Sequence, residues 1–331
     1  MFDHNFIKDH LPVVWLHNKE SHFPMNIETY LSNCTVHTQK NLKNDFKNKG
    51  YKVNENTLVV DDKTILSSTF FDTFVQNPDD GLLTLQLRPE RTYWNRGETD
   101  LNSVPVYVYE PPGIASNGKK YIHYIFFYSY NAPFLILGLF NIGAHDADIE
   151  RVTLEVDPDT LKVERIFFGA HGQGNGRWID WDKAEKYENT NRPIVYVARG
   201  SHACYPEEGY YIRFAGAAND RCNKGYSWNI QNYQLLVNKL DESGNINPLY
   251  DPSTMGFLNY AGDWGFGHVS SLMWKSWWTV EGASKEKYDK SPLKSIFNFR
   301  IDFFVIFLLI LIFIVIAIIG WSKWYYYRKN K

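Results

Sequence analysis

The chain has 331 residues, with 37 acidic and 35 basic side chains and a formal net charge of −2. This balance, without a basic stripe in the main part of the chain, argues against nucleic acid as a partner. The three cysteines, Cys34, Cys204 and Cys222, make no CxxC pair and are too few for a disulfide framework.

The N-terminal part, residues 1–100, mixes short apolar pieces with polar stretches and has no visible internal repeat. It opens with MFDHNFIKDHLPVVWLHNKE, which lacks a basic start followed by an apolar run and so does not predict a secretory signal. We therefore expect post-translational membrane insertion. An Asn-Cys-Thr sequon begins at Asn33 and would matter only in a lumen.

Residues 101–280 predict a β-sandwich core. Runs rich in Val, Ile, Tyr and Phe are separated there by Gly, Asn, Asp and Pro: VPVYVYE, YIHYIFFYSY, ERVTLEV, VERIFFGA and RPIVYVARG. We expect a mainly β protein, a β-sandwich with peripheral helices and long loops, plus one C-terminal transmembrane helix.

A possible metal site begins the third of these runs, in the sequence GAHDADIE. Asp148 and Glu150 lie two residues apart and so share one face of a strand, while His145 must reach them from the preceding turn. Two carboxylates and one imidazole suit Mg²⁺, Ca²⁺ or Mn²⁺, and Zn²⁺ if another histidine joins. The alternative is two acids on a solvated strand face beside a turn histidine.

Two further motifs contain histidines at the ends of predicted strands. His171 and Gly172 lie in the glycine-rich GAHGQGNG, which has neither the Gly-Lys-Ser/Thr ending nor the spacing of a phosphate-binding loop. Ser201 and His202 lie in ARGSHACYP and would point apart on a strand, so they do not predict a nucleophile and its base. We keep His171 and His202 as candidate catalytic residues without an assigned reaction. Cys204 predicts a small buried thiol.

The C-terminal region predicts a linker, a membrane anchor and a short tail. Residues 281–299 lose the strand pattern and gain lysines, which is typical of a linker. Residues 300–322 contain an uncharged run of eighteen residues from Phe303 to Gly320, about the length that crosses a bilayer. Residues 323–331 form a basic and aromatic tail suited to an interface. We expect a single-pass protein in the lipid bilayer with its main domain in the cytosol.

The ordered series of motifs resembles the vacuolar protein sorting-associated protein 62 family. The motifs are YIFFYSYNAP, GAHDADIERVTLEV, GAHGQG, RPIVYVARGSHACYP, NDRCNKGYSW and YAGDWG, and LPVVWLHNKESHFP and IETYLSNC resemble the N-terminal region of the family. The other family-motif positions in this chain are Gly172, Arg199, Ser201, Asp220, Trp228 and Asp263.

The family usually has His-Glu-Gly-Asp-Trp-Glu where this chain has His-Asp-Ala-Asp-Ile-Glu. The departures at Ala147 and Ile149 put packing in doubt, because His145, Asp148 and Glu150 are kept. The same His-x-x-Asp-x-Glu spacing is similar to the Gly-His-Arg-His-Asp-Trp-Glu heptapeptide of necrosis- and ethylene-inducing peptide-like proteins. That more distant resemblance implies metal ligands on a β-sandwich.

The resemblance implies a role in delivering proteins to the vacuole, without a catalytic assignment. Our leading hypothesis is a membrane-anchored, metal-binding β-sandwich that acts in membrane trafficking or at a membrane surface, with membrane lipids or trafficking proteins as partners. One rival is a metal-dependent hydrolase of an ester or phosphoester. Another is a structural membrane or virion protein.

Overall fold

The computed structural model describes residues 1–38, 57–58, 60–61, 63–74, 83–136, 140–171, 176–213, 219–265, 272, 275–285, 293–294 and 303–329. It is mainly β, with few helices. The strands are β1 Val13–Leu16, β2 Cys34–Thr38, β3 Thr57–Leu58, β4 Leu83–Leu87, β5 Val106–Tyr109, β6 Lys120–Asn131, β7 Phe134–Ile136, β8 Phe140–Ile142, β9 His145–Val156, β10 Val163–Gly169, β11 Gly176–Asp180, β12 Ile194–Val197, β13 Cys204–Tyr205, β14 Gly209–Ile212, β15 Asp220–Cys222, β16 Tyr226–Asn229, β17 Tyr233–Leu236 and β18 Leu293–Lys294.

The helices are short except for the last one. The α-helices are α1 His4–Asp9, α2 Ile27–Ser32, α3 Ser68–Thr73, α4 Pro252–Met255, α5 Val280–Ser284 and α6 Phe303–Lys329. The 3₁₀ helices are Pro89–Arg96, Gly256–Asn259 and Ser276–Trp278. Side-chain caps satisfy the first free N–H groups of several of them; at α1, for example, the Asp3 carboxylate accepts from the N–H of Phe6 at 2.7 Å.

The largest sheet has six strands in the order β11-β10-β9-β6-β5-β17. Its two long central strands, β6 and β9, pair antiparallel from Lys120 opposite Val156 to Asn131 opposite His145. Nearly all of β6 is buried on both faces, which explains its continuous apolar sequence. β17 joins the sheet edge parallel to β5.

The N-terminal residues belong to a second sheet of four strands, ordered β13-β12-β1-β16. β1 pairs parallel with β12 and antiparallel with β16, so it lies inside this sheet. One apolar cluster combines side chains of both sheets, including Val14 of β1, Phe126 of β6 and Val195 of β12. Residues 1–100 and 101–280 therefore share a core.

The segment predicted as a linker contains structure where it is described. Helix α5 covers Val280–Ser284, and β18 pairs with β14 in the three-stranded sheet β15-β14-β18. The rest of the segment lies outside the described residues.

Helix α6 runs from Phe303 to Lys329 and includes both ends of the uncharged run, Phe303 and Gly320; residues 300–302 of the predicted anchor lie outside the described residues. Residues Leu309–Tyr326 form the one candidate membrane span in the described part of the chain, and none of this window is buried by the rest of the protein. Phe313, for example, is 73% exposed. The helix is long and apolar enough to cross a membrane.

Candidate functional site

Strand β9 contains a residue with left-handed backbone, close to the start of the HDADIE motif. Ala147 has φ of 55° and is buried. The pairing with β6 keeps the same register on both sides of it, with Asp146 opposite Tyr130 and Asp148 opposite Tyr128. Next to it, the His145 imidazole bonds back to the Ala147 carbonyl oxygen at 2.8 Å through Nδ1. The side chain of His145 is thereby tied to its own strand.

Asp148 bonds to a histidine from a distant turn. Its Oδ2 atom lies 2.9 Å from Nδ1 of His202, which is fully buried and has φ of 52°. The ring of His202 stacks on Tyr128, with centroids 3.8 Å apart and planes at 5°. Since Tyr128 is paired with Asp148 across β6 and β9, one pair of strands holds both partners of the imidazole.

The second ring nitrogen of His202 is also engaged, because Nε2 lies 3.0 Å from the carbonyl oxygen of His22. An ionised carboxylate and a carbonyl can only accept, so with Asp148 ionised both ring nitrogens donate and His202 is an imidazolium. Burial lowers the pKa of His202, but the hydrogen bond to Asp148 and the negative charge of Glu20 outweigh it, and the net pKa lies above the ordinary value.

Glu20 completes this buried charge network and was not singled out from the sequence. It accepts hydrogen bonds from the N–H groups of Ser21 at 2.9 Å, His22 at 3.0 Å and Gly200 at 2.8 Å. Its Oε1 is 3.9 Å from Nε2 of His202. One feature of the sequence could have identified Glu20: it is an acid that follows β1 and directly precedes Ser-His.

Glu150 lies on the same strand as Asp148, and the charge of Asp148 affects the pKa of Glu150. Removal from water and the neighbouring charge of Asp148 raise the pKa of Glu150 well above its ordinary range. The charges of Asp148 and Glu150 act on Lys275. Removal from water lowers the pKa of Lys275, and the attraction of these two carboxylates raises it by less.

The described residues do not bring the three predicted metal ligands together. No group of three or more His, Cys, Asp or Glu side chains in this part of the chain is arranged to hold an ion. His145 bonds to the Ala147 carbonyl, and Asp148 bonds to the buried imidazolium of His202. Both contacts would have to be given up before His145, Asp148 and Glu150 could share one ion.

A second polar cluster centres on Asp220, which is 4% exposed. Its carboxylate accepts hydrogen bonds from Nε2 of His171, from Oγ of Ser201 at 2.8 Å and from the Tyr205 hydroxyl at 2.6 Å. Burial would raise the pKa of Asp220, but His171, Arg213 and Tyr205 together hold it below the ordinary value. Tyr205 and Arg213 were not identified from the sequence.

The order of the hydrogen bonds in this cluster indicates a structural role and differs from that of a catalytic triad. A serine nucleophile needs its hydroxyl on the histidine and the acid behind the histidine. Here Asp220 stands between His171 and Ser201, and the Ser201 hydroxyl is bonded to the acid. The buried thiol of Cys204 has a pKa raised by burial, as expected for an unreactive cysteine.

The remaining family-motif positions have separate places. Arg199 is exposed beside the turn that holds His202, and its N–H donates to the Arg221 carbonyl at 3.0 Å. Trp228 is buried on β16, edge-on to Phe126. Asp263 is bonded to β4 through its backbone. Gly172 lies outside the described residues.

The YAGDWG segment packs against the HDADIE motif. Tyr30 of α2 donates through its hydroxyl to the carbonyl of Trp264 at 2.6 Å. A Cβ atom on Gly265 would lie 2.1 Å from the carbonyl oxygen of Asp146, so the close approach of these two segments requires glycine. Motifs that are more than 100 residues apart in sequence thus meet at the start of β9.

Two solved structures are similar to the chain at low levels. Necrosis and Ethylene inducing Protein 2, from the causal agent of cocoa's Witches Broom disease, is 12% identical with a TM-score of 0.32, and the match covers 62% of this chain and 69% of that one. NLPPya in complex with mannosamine is 11% identical with a TM-score of 0.36, over 86% of this chain and 90% of the other. These values do not establish a shared fold.

The sequence comparisons agree with the motifs. TDA6 of Saccharomyces cerevisiae, which is named as a vacuolar protein sorting-associated protein, is 21% identical over 332 residues, covering 89% of this chain. The match spans 66% of the length of that relative. Residues 3–266 match the sequence model described as vacuolar protein sorting-associated protein 62. The chain therefore belongs to the vacuolar protein sorting-associated protein 62 family.

Proposed function

We propose that this chain is a single-pass membrane protein whose β-rich domain faces the cytosol and acts in protein trafficking at the membrane surface. The observation that carries the proposal is helix α6, because none of its window Leu309–Tyr326 is buried by the rest of the described protein. So much apolar surface is rarely left in water by a soluble protein. Family membership supports the trafficking role.

The proposed architecture of the domain is a β-sandwich. The six-stranded and four-stranded sheets contribute to one apolar cluster, as expected if their inner faces pack against each other. The buried pairs of Asp148 with His202 and of Asp220 with His171 then link loops at the edge of this core.

We favour binding over turnover. Both nitrogens of His202 are engaged and the side chain is fully buried, so it offers no site for proton exchange with a substrate. The Ser201 hydroxyl donates to the carboxylate of Asp220 and not to a histidine. These contacts support a role in holding the surface loops in place, and they do not favour the hydrolase.

Metal binding by His145, Asp148 and Glu150 is a separate proposal. Its support is the pair of neighbouring carboxylates, Asp148 and Glu150, whose mutual repulsion a divalent cation would relieve. Metal content of the purified full chain, measured for wild type and Glu150→Gln, tests it. This variant leaves the hydrogen bond between Asp148 and His202 intact, so loss of bound metal would reflect the site itself, and equal content would contradict it.

Membrane association is tested with the full chain expressed in cells. A spanning protein stays in the membrane pellet after alkaline carbonate treatment, whereas a peripheral protein is released. We expect retention. Release into the supernatant would contradict the anchor.

Topology needs a reporter other than the native sequon. Asn33 is 8% exposed and its side-chain amide donates to the Thr29 carbonyl at 2.7 Å, so its acceptor nitrogen is covered in the folded domain. Asp241→Asn creates an Asn-Glu-Ser sequon in an exposed turn. With microsomes, we expect no glycosylation of this variant and glycosylation of a sequon added after Lys331. The reverse pattern would place the domain in the lumen.

A further inference from the structure

A cavity of about 370 Å³ lies beyond the ends of two parallel strands of the largest sheet. Tyr109 and Leu236, the last residues of β5 and β17, are directly paired, and residues that follow each of them line the cavity. The loop after β5 contributes Glu110 and Gly113, and the loop after β17 contributes the opposite wall. A cavity of this size is within the range of protein binding sites.

Two of the lining residues, Tyr109 and Asn238, are fixed by Trp278. The rings of Tyr109 and Trp278 stack with centroids 3.7 Å apart, and the Tyr109 hydroxyl donates to the Trp278 carbonyl oxygen at 3.0 Å. The Nε1–H group of Trp278 donates to Oδ1 of Asn238, also at 3.0 Å. This part of the cavity is therefore preformed, and a ligand that enters it pays little to order it.

An exposed apolar surface continues from the cavity into solvent. Leu240 lines the cavity and is 53% exposed, and Ile246 is paired opposite it in an antiparallel bridge and is 70% exposed. Side chains of directly opposed residues lie on the same face, so these two form one apolar surface. A group that occupies the cavity can bury both of them further, which sets them apart from singly scattered apolar side chains.

The cavity is lined by three carboxylates and two cations. Both cations lie against Glu110, with Nζ of Lys120 at 2.8 Å and the amino group of Met1 at 3.6 Å. Asp241 and Glu242 also line the cavity, and within the described part of the chain neither forms an ion pair. The negative charge that remains is therefore on the loop after β17, beside Leu240.

The charged groups around the cavity do not reverse this sign. The nearby basic side chains are each offset by acids: Lys239 by Asp72, Lys119 by Asp157 and Glu164, and Lys285 by Glu281, four positions before it on α5. Asp3, two residues after Met1, is exposed and adds a further acid. A cationic ligand is therefore favoured over an anionic one.

We propose that this cavity binds a bulky apolar side chain of a partner protein, in a segment that has a lysine or arginine next to that residue. The apolar group packs against Val237 and Leu240, and the basic residue meets Asp241 and Glu242. A peptide segment is favoured over a small amine because the apolar surface extends outside the cavity to Ile246. The inference goes beyond membrane anchoring and holds for either orientation of α6.

The test is a selection from random heptapeptides displayed on phage. The bait is the full chain in phosphatidylcholine nanodiscs, and empty nanodiscs remove peptides that bind lipid. We expect the enriched peptides to have Leu, Phe or Trp next to Lys or Arg. The most enriched peptide is then synthesised and its Kd is measured by fluorescence anisotropy. Its analogue with alanine at the apolar position should bind about tenfold more weakly.

Two variants of the chain locate the binding site. The site variant combines Leu240→Ser with Glu242→Gln. The matched control combines Tyr226→Ser, at a side chain that is 47% exposed, with Asp182→Asn at an exposed acid. All four side chains are exposed, so we expect both variants to fold, and urea denaturation checks this. The site variant should bind the peptide about 30-fold more weakly than wild type, and the control should stay within about threefold.

Several outcomes would overturn the proposal. These are wild-type affinity in the site variant, equal losses in both variants, enriched peptides without a basic residue, and no enrichment over empty nanodiscs. A dimer of the wild-type chain in analytical ultracentrifugation that is lost in the site variant would also overturn it, because a second copy would then cover this face. A chain that leaves the nanodiscs contradicts the anchor alone, and the same selection is then made with the free chain.

Discussion

Asp148 and His202, which are 54 residues apart in sequence, form a 2.9 Å hydrogen bond in the buried interior between β9 and the turn after β12. With Asp148 ionised, the bond joins an anion to an imidazolium. Loss of the Asp148 charge leaves the more distant carboxylate of Glu20, 3.9 Å from Nε2, as the counter-charge. Such a pair fixes the position of the turn more than it adds net stability.

Replacing Asp148 with asparagine should therefore destabilise the domain. The change keeps the shape of the side chain but leaves the charge of His202 buried, and we expect a loss of about 3–5 kcal/mol in the free energy of unfolding. Urea denaturation measures it. Asp182→Asn, at an exposed site, is the control and should change stability by less than about 0.5 kcal/mol. Equal stability of both variants would show that the pair is not formed.

The stack of Tyr128 on His202 can be separated from the tyrosine hydroxyl. That hydroxyl is buried without a hydrogen-bond partner in the described structure, so Tyr128→Phe should be neutral or stabilising by up to about 1 kcal/mol. Tyr128→Leu removes the ring and should cost about 2–3 kcal/mol. A loss of stability in Tyr128→Phe as large as in Tyr128→Leu would contradict the stacked geometry.

Asp220 should make stability depend on acid pH. Its pKa is lower in the folded protein than the ordinary value of 3.8, so its charged form stabilises the fold above that pH. This contribution disappears as the pH falls through the folded pKa. The difference in unfolding free energy between wild type and Asp220→Asn should thus shrink as the pH falls from about 5 to below about 4. A difference that grows on acidification would contradict this sign.

We expect α6 to insert into the membrane with one arginine in its apolar run and to fail to insert with two. An arginine at the centre of a spanning helix costs about 3 kcal/mol on insertion scales, and the apolar run gains roughly 5–10 kcal/mol. Leu311→Arg should stay in carbonate-washed membranes, while Leu311→Arg with Ile314→Arg should be largely released. Leu311→Ala with Ile314→Ala serves as the uncharged control. Retention of the double arginine variant would argue against a spanning helix.

Ala147→Gly should relieve the left-handed backbone of Ala147. Its φ of 55° costs about 1–2 kcal/mol for a residue with a Cβ atom, and glycine adopts it freely. The lost methyl burial offsets part of this gain, so we expect a rise of about 1 kcal/mol in the free energy of unfolding. Ala170→Gly, at a buried site without positive φ, should lower it. A loss of stability in both would contradict the assignment of strain.

The strands were predictable from sequence where they are apolar and uninterrupted. The runs that predicted them became β5, β6, β9, β10 and β12, and the position of Cys204 as a buried thiol is confirmed. Their neighbours were not predictable, because β1 joins β12 across about 180 residues and periodicity carries no information on pairing.

The site was predictable residue by residue but not as an arrangement. His171, Ser201 and Asp220 were identified separately, and the structure brings them onto one carboxylate. His145 was expected to face Asp148 and Glu150, but a regular strand was assumed, and the positive φ of Ala147 changes the local geometry. Glu20 was missed because its partners are backbone N–H groups from two distant loops.

The backbone at position 147 also affects how members of the family can be recognised. The family motif that this segment resembles, His-Glu-Gly-Asp-Trp-Glu, has glycine at this point, and the φ of 55° at Ala147 is one that glycine adopts freely. A search that requires the glycine would pass over such chains. A pattern that admits any small residue there, and excludes β-branched ones, would detect relatives that keep this backbone conformation without the glycine.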